Sequence, residues 1–430
     1  MKHAIVGGIL LCLLGTAVPA GAVLCTIDAV PAATLLLPYF EVDLNNPNGL
    51  TTLFSINNAS ATAALAHVTV WSDLSVPVLD FNVYLTGYDV QTINLRDLLA
   101  GSIPVTASDG QDPVDKISPQ GPKSQDVNFA SCTGQLPPPP LPPSFVQHLA
   151  LALTGKGSPL FGGLCAGRNL GDNIARGYIT VDTVNNCTLR LPSDINYFTQ
   201  DISFQNVLWG DFFYVNSANN FATGYDLVHV EASLTDPATT TAGRYTFYGR
   251  YVGWNAMDHR EPLGGLFDGT FWFNLTIQTP FGSTTIFTNT IAWRDSKTNQ
   301  QPFTCPATTG RPSWYPLGQE GIDIFDETEQ VNTPQTFPFS PQPPQQGIIP
   351  FPAEAQSTRI GGPDFPVPFD FGWLYLNLHT TVSGNPNPPF DPAAAQAWVM
   401  TQNAALTGHF SVGSNAIQLD SACAPNHFVP

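Results

Sequence analysis

Residues Thr51–Leu99 read TTLFSINNASATAALAHVTVWSDLSVPVLDFNVYLTGYDVQTINLRDLL, and a period of two runs through them. Phe54 and Ile56 fall on one face of the first run, Leu53 and Ser55 on the other, as in a strand with one buried face. Asn57-Asn58-Ala59-Ser60 then supplies turn residues, because Asn and Ser side chains bond their own backbone. From Ala64 to Ser72, Val68 and Val70 face away from His67, Thr69 and Trp71, and the run is β-branched and aromatic. Leu79, Phe81, Val83 and Leu85 alternate with Asp80, Asn82 and Tyr84. Thr86-Gly87-Tyr88-Asp89 turns this strand, and Val90–Leu95 forms a fourth. Short strands spaced roughly 8–12 residues apart predict an antiparallel sandwich rather than a βαβ layout.

Phe54-Ser55-Ile56-Asn57-Asn58, Val68-Thr69-Val70-Trp71 and Ile93-Asn94-Leu95-Arg96-Asp97-Leu98-Leu99 together resemble a module of uncharacterised secreted bacterial proteins. The resemblance covers Thr51 to Leu99 only. It implies an Ig-like β-sandwich and carries no catalytic residue.

Outward from this stretch, the chain begins with a basic Met1-Lys2-His3, an apolar Ala4–Gly15 and a small-residue Ala20-Gly21-Ala22. That order reads as a secretory leader cleaved after Ala22. Lipidation at Cys25 is disfavoured, since the residue before it is Leu24 rather than a small one. No later stretch holds the ~18 uncharged apolar residues of a membrane span, so no transmembrane span is expected after cleavage; the leader itself predicts a chain that is secreted, periplasmic or on the cell surface.

Only 11% of the residues are charged, yet the net charge is -18. An acidic surface repels phosphate backbones, which argues against nucleic acid as a partner. Once Cys12 leaves with the leader, Cys25, Cys132, Cys165, Cys187, Cys305 and Cys423 remain. An even number in an exported chain reads as disulfides. Cys132 and Cys165 flank one Pro-rich insertion and are the expected pair. No CxxC occurs, so zinc and thioredoxin-type sites are not expected.

The spacing further predicts a strand at Thr34–Asp43, with Pro38 at a sheet edge or bulge. Leu136–Pro143 should be an extended polyproline spacer, followed by a helix over Phe145–Leu153 capped by Ser144, with His148 packed or at a surface edge. Strand-like runs recur at Gly177–Asp182, Asn206–Val215, Leu227–Ala232, Arg244–Val252, Thr270–Gln278, Thr284–Arg294, Phe371–Leu378 and the closing runs before Cys423. Val331–Asp370 is dense in proline and reads as an extended strap. The resulting division is a leader at 1–22, a β-sandwich region at 23–130, and a Pro-rich insertion with a short helix at 131–175. A second β-sandwich region at 176–300, a strap or linker at 301–370 and closing strands at 371–430 complete it. The expected class is mainly β: antiparallel Ig-like sandwiches with Pro-rich insertions and one or two short helices.

Chemistry is harder to read. No G-x-S-x-G elbow, HExxH helix, P-loop or G-x-G-x-x-G fingerprint occurs. Asp258-His259-Arg260-Glu261 is the densest mixed-charge patch, suited either to acid–base work or to a surface network of opposite charges. Asp258, Glu261 and Asp268 are the carboxylates a glycosidase would use. Trp254 and Trp272 lead a stretch rich in aromatic residues that either fill the core or, if exposed, stack on sugars. Asp109, Asp112 and Asp115 recur at three-residue intervals and offer oxygen ligands for calcium, although the EF-hand spacing and terminal Glu are absent. Gln319–Gln330 is a second acidic run that suggests a cation cap. No other cofactor is indicated. These readings converge on an exported, non-enzymatic β-sandwich protein of the cell envelope or exterior, structural, adhesive or ligand-binding. The alternative is a carbohydrate-binding or carbohydrate-active protein that uses an exposed aromatic face.

Overall fold

The computed structural model describes residues 30–112, 114, 116–117, 125–242, 246–252, 257–263, 268–279, 282–295, 301–306, 321–330, 351, 353–363, 365–378, 396–404 and 416–418. The proposed leader, Cys25, Cys423, Asp115 and Trp254 lie outside them. The chain is mainly β, built of antiparallel sheets with a few short helices.

Among the described residues, ten strands make the first two sheets: β1 (Thr34–Asp43), β2 (Leu50–Asn58), β3 (Ala64–Ser72), β4 (Pro77–Leu85), β5 (Val90–Asn94), β6 (Ile174–Val184), β7 (Leu208–Trp209), β8 (Asp211–Asn216), β9 (Phe221–Asp226) and β10 (Val228–Val230). One sheet runs β10-β1-β6-β3-β4, the other β5-β2-β8-β9 with β7 beside β2. Strands from distant parts of the chain therefore alternate within each sheet. Nine further strands follow: β11 (Asp268–Asn274), β12 (Thr276–Thr279), β13 (Gly282–Thr285), β14 (Phe287–Arg294), β15 (Gly321–Asp326), β16 (Ala355–Ile360), β17 (Phe371–Asn377), β18 (Ala397–Ala404) and β19 (Ala416–Gln418). They form the sheets β16-β14-β18-β19 and β11-β17-β15 and the hairpin β12-β13.

β3 is buried along its whole length, on both faces, so its sheet is a central layer. Val68 pairs with Val181, and Val181 with Leu35; this apolar face carries Leu35 against Gly210, beside β8. The opposite face bears Trp71 and Tyr178, which stack on each other and lead to Trp293 of β14. β14 is also covered on both sides. Ile291 and Trp293 enter the main core, whereas Ala292 joins a second core with Val399, Phe271, Phe273 and Leu374. The order of layers is thus β2's sheet, β1's sheet, β14's sheet, and β11's sheet outermost.

The alternation around β2, β3 and β4 is as the sequence predicts, with two refinements. The fourth strand stops at Asn94, whose side chain caps a short helix at Leu95–Leu99 by accepting from Arg96 N. Pro38 sits where the β1–β6 register shifts, between Leu37 and Phe40, which is a bulge on a central strand. The helix spans Pro143–Leu153 with Pro at its first position, so no side-chain cap forms at Ser144. Leu136–Pro137 is cis. His148 is buried, edge-on between Phe145 and Phe161.

Three expectations are corrected. Cys132 pairs with Cys187, and Cys165 with Cys305, in place of a Cys132–Cys165 bridge. Reciprocal backbone hydrogen bonds between Cys165 and Phe303 (2.8 and 2.9 Å) bring Cys305, two residues on, to Cys165. Ser131 Oγ, accepting from Cys187 N, does the same for the other bridge. The described part of Arg244–Val252, residues 246–252, forms no strand but a turn and a helical segment at Gly249–Val252. There Arg250 reaches Asp295 (2.8 Å) at the end of β14 and Glu354 (3.5 Å) just before β16, with none of the three side chains more than 4% exposed. Finally, the Pro-rich 331–370 interval contains β16, paired along β14 from Thr288↔Ile360 to Trp293↔Ala355, and the acidic Gln319–Gln330 run contains β15.

Candidate functional site

β11 reads Asp268-Gly-Thr-Phe-Trp-Phe-Asn274, and β17 reads Phe371-Gly-Trp-Leu-Tyr-Leu-Asn377. Because side chains alternate across a strand, Phe271, Phe273, Leu374 and Leu376 turn into the second core with Ile322 and Ile324 of β15. The residues between them turn outward. The register then aligns them: Phe325 pairs with Trp373, and Trp373 with Trp272, making one aromatic row across three strands. In the next row Asp323, Tyr375 and Thr270 are neighbours, and beyond the first row Phe371 lies opposite Asn274.

Trp272, Phe371 and Trp373 are 39%, 40% and 43% exposed, unusual for side chains of this size when no partner covers them. The Trp272 and Phe371 rings lie 6.5 Å apart at 44°. Gly372, between Phe371 and Trp373, allows this arrangement: a Cβ there would lie 2.0 Å from the Phe325 carbonyl oxygen. Strand spacing and rise give the platform a footprint of roughly 10 by 13 Å. Its described outward positions are Thr270, Trp272, Asn274, Asp323, Phe325, Phe371, Trp373 and Tyr375. All are aromatic or polar. The aliphatic residues of the same strands are all on the inner face.

Trp272 is therefore where a stacking residue belongs. The other residues singled out from sequence are elsewhere. Asp258 and Glu261 are buried, whereas Trp272 is exposed on the outer face of β11. The patch 258–261 is thus not a surface network. Asp258 accepts from Tyr248 N (2.9 Å) and from Arg260 Nη1 (3.2 Å), and burial raises its carboxyl above the ordinary range despite Arg260. Arg260 also lies 3.6 Å from Asp182, which accepts the hydroxyls of Thr34 (2.5 Å), Tyr197 (2.7 Å) and Tyr248 (2.8 Å). Burial, reinforced by the Asp182 charge, pushes both phenols well above their usual value. This cluster ties β1, β6 and the connecting segments together where substrate has no access.

Asp112 turns its carboxylate to Lys116 N and Ile117 N, both at 2.6 Å, while Asp109 is exposed and receives no such role. Asp326 caps its own turn by accepting from Thr328 N and Gln330 N. Those hydrogen bonds, made to the charged form, lower its pKa. Among the described residues, no three His, Cys, Asp or Glu side chains are arranged to hold a metal ion, and no helix is long and apolar enough to cross a membrane.

Sequence reasoning passed over Trp373, Phe371, Tyr375 and Phe325. The signal for three of them was the aromatic–aliphatic alternation of β17. Compared with family models, curated proteins and solved structures, the chain gives no match.

Proposed function

We propose that this chain is an exported carbohydrate-binding protein, non-catalytic, which holds a glycan on the outer face of β11, β17 and β15. The observation that carries the reading is the Phe325–Trp373–Trp272 row on a face of aromatic and polar side chains without an aliphatic one. Sugar rings offer C–H faces to aromatic planes and hydroxyls to groups such as Thr270, Asn274 and Asp323. A protein-docking surface would be expected to add Met or Arg to its aromatics, and a lipid-seeking one Leu. Stacked nucleobases are disfavoured by the net charge of -18. Export is supported by the leader-like start and by two disulfides that link distant parts of the chain.

Soluble cello-, chito-, xylo- and manno-oligosaccharides, titrated against the protein while tryptophan fluorescence is followed, test this. One series is expected to bind, and Trp272→Ala and Trp373→Ala are each expected to weaken it about tenfold or more without loss of fold. Both positions are exposed, so their truncation should change stability little. Absence of binding across the panel, or unchanged affinity in both variants, refutes the reading.

A further inference from the structure

A second opening lies between layers, away from the aromatic face. A cleft of about 210 Å³ is lined by β1 (Tyr39, Glu41), β8 (Tyr214), β14 (Phe287, Asn289) and the exposed Arg359 of β16. Its volume is below the roughly 300–1,000 Å³ of pockets that take drug-sized ligands, so a single ring fits it best. The wall from β14's sheet is built in register. Arg359 pairs with Asn289, and Asn289 with Gln402, giving a row of three hydrogen-bonding side chains. One step away, Ile291 and Phe287 on the same face give the row an apolar surround.

The charges are uneven. Glu41 is held by the Tyr39 hydroxyl (2.7 Å) and by Arg176 (3.1 Å), which also binds Asp172. Arg359 has no carboxylate partner among the described residues. Its guanidinium carbon lies 4.6 Å from the centre of the Phe287 ring. A cation–π contact of this kind takes up no N–H donor, and the guanidinium keeps the forked edge that grips a carboxylate in two places.

We infer that this cleft is a binding site for a hydroxylated ring carboxylate of the uronic-acid class. The Arg359 edge takes the carboxylate, and Asn289, Gln402 and Glu41 take hydroxyls. Tyr39, Tyr214 and Phe287 cover the ring. The inference does not rest on the glycan reading of the outer face, since the two sites share no residue.

Isothermal titration of the full mature chain with D-glucuronate and with D-glucose, at 0.1 M salt to damp long-range repulsion, tests it. Glucuronate is expected to bind at least tenfold more tightly than glucose. Arg359→Gln should bring the two within about twofold, and Asn289→Asp, which sets a negative charge beside an intact Arg359, should do the same. Melting curves matching the parent confirm that both variants fold. Equal affinity of the parent for the two sugars, or a preference that survives either variant, overturns the proposal. So does a glucuronate signal abolished by Trp373→Ala but not by Arg359→Gln, because the ligand would then sit on the aromatic face.

Discussion

Asp182 and Arg260 face each other at 3.6 Å with neither side chain exposed to solvent. Burying each charge costs several kcal/mol, and the pair offsets this only while every partner is present. Arg260 is further shared with Asp258 and donates to the Ser203 carbonyl (3.0 Å). Arg260→Met, which strands two carboxylates in the core, is expected to lower stability by about 3–5 kcal/mol. Adding Asp182→Asn and Asp258→Asn to it should recover part of the loss. Urea denaturation followed by tryptophan fluorescence measures both, and a loss below about 1 kcal/mol for the single variant would show that the cluster is not closed to water.

That cluster also marks where sequence stops being informative. The periodicity of residues 50–94 gave strands and faces because one strand's alternation is a local property. The polar face of the central sheet, with His67, Asp182 and Thr34 in one row, depends on β6 lying between β1 and β3. No local pattern contains that neighbour relation. Similarly, Trp272 was visible as an aromatic, but its row with Trp373 and Phe325 arises from a register between strands far apart in the chain. β16 was hidden for a different reason. Its AQSTRI alternates too weakly to be seen among so many prolines, and it is held by pairing with β14 rather than by its own propensity.

Acid should weaken the fold through two histidines. Burial lowers the pKa of His148, whose Nδ1 is 2.6 Å from Ser158 Oγ, and of His229. Both are neutral when folded but bind protons in the unfolded chain below about pH 6.5. The unfolded state then holds more protons, so stability is full above that value and is lost as pH falls toward the lowered folded value. Asp258 and Asp80, raised by burial, act oppositely: their contribution is present below about pH 3.9 and is lost as pH rises through the raised values. Comparison with His148→Gln isolates the imidazole. Between pH 7.5 and 5.5 the parent is expected to lose more stability than the variant, by up to about 1.4 kcal/mol in all, most of it below pH 6.5. Equal slopes in urea titrations would rule this out.

The two bridges should differ in what they contribute. Cys132–Cys187 spans a sequence separation of 55 and Cys165–Cys305 one of 140. Loop-closure entropy assigns them about 4 and about 5 kcal/mol. Replacing Cys165 and Cys305 together by Ala should therefore lower the urea midpoint at least as far as replacing Cys132 and Cys187. Non-reducing peptide mapping provides the direct check on connectivity, and a Cys132–Cys165 peptide would contradict it.

Gly177 makes the sharpest packing prediction. It lies in β6, between Phe40 of β1 and Ser72 of β3. A Cβ there would lie 1.9 Å from the Trp71 carbonyl oxygen and 3.0 Å from the Phe40 ring. Trp71 cannot retreat cheaply, since its ring stacks on Tyr178 and its indole N–H donates to Thr180 Oγ at 2.9 Å. In an open position, Gly→Ala would stabilise by about 0.4–1 kcal/mol by restricting the unfolded chain. Here the overlap is with backbone, which a rotamer change does not relieve, and overpacking of this kind costs about 1–3 kcal/mol. The clash outweighs the entropy gain, so Gly177→Ala is expected to lower the urea midpoint. Were the midpoint unchanged or raised, β3 and β6 could not approach as closely at Trp71 and Gly177 as the central sheet requires.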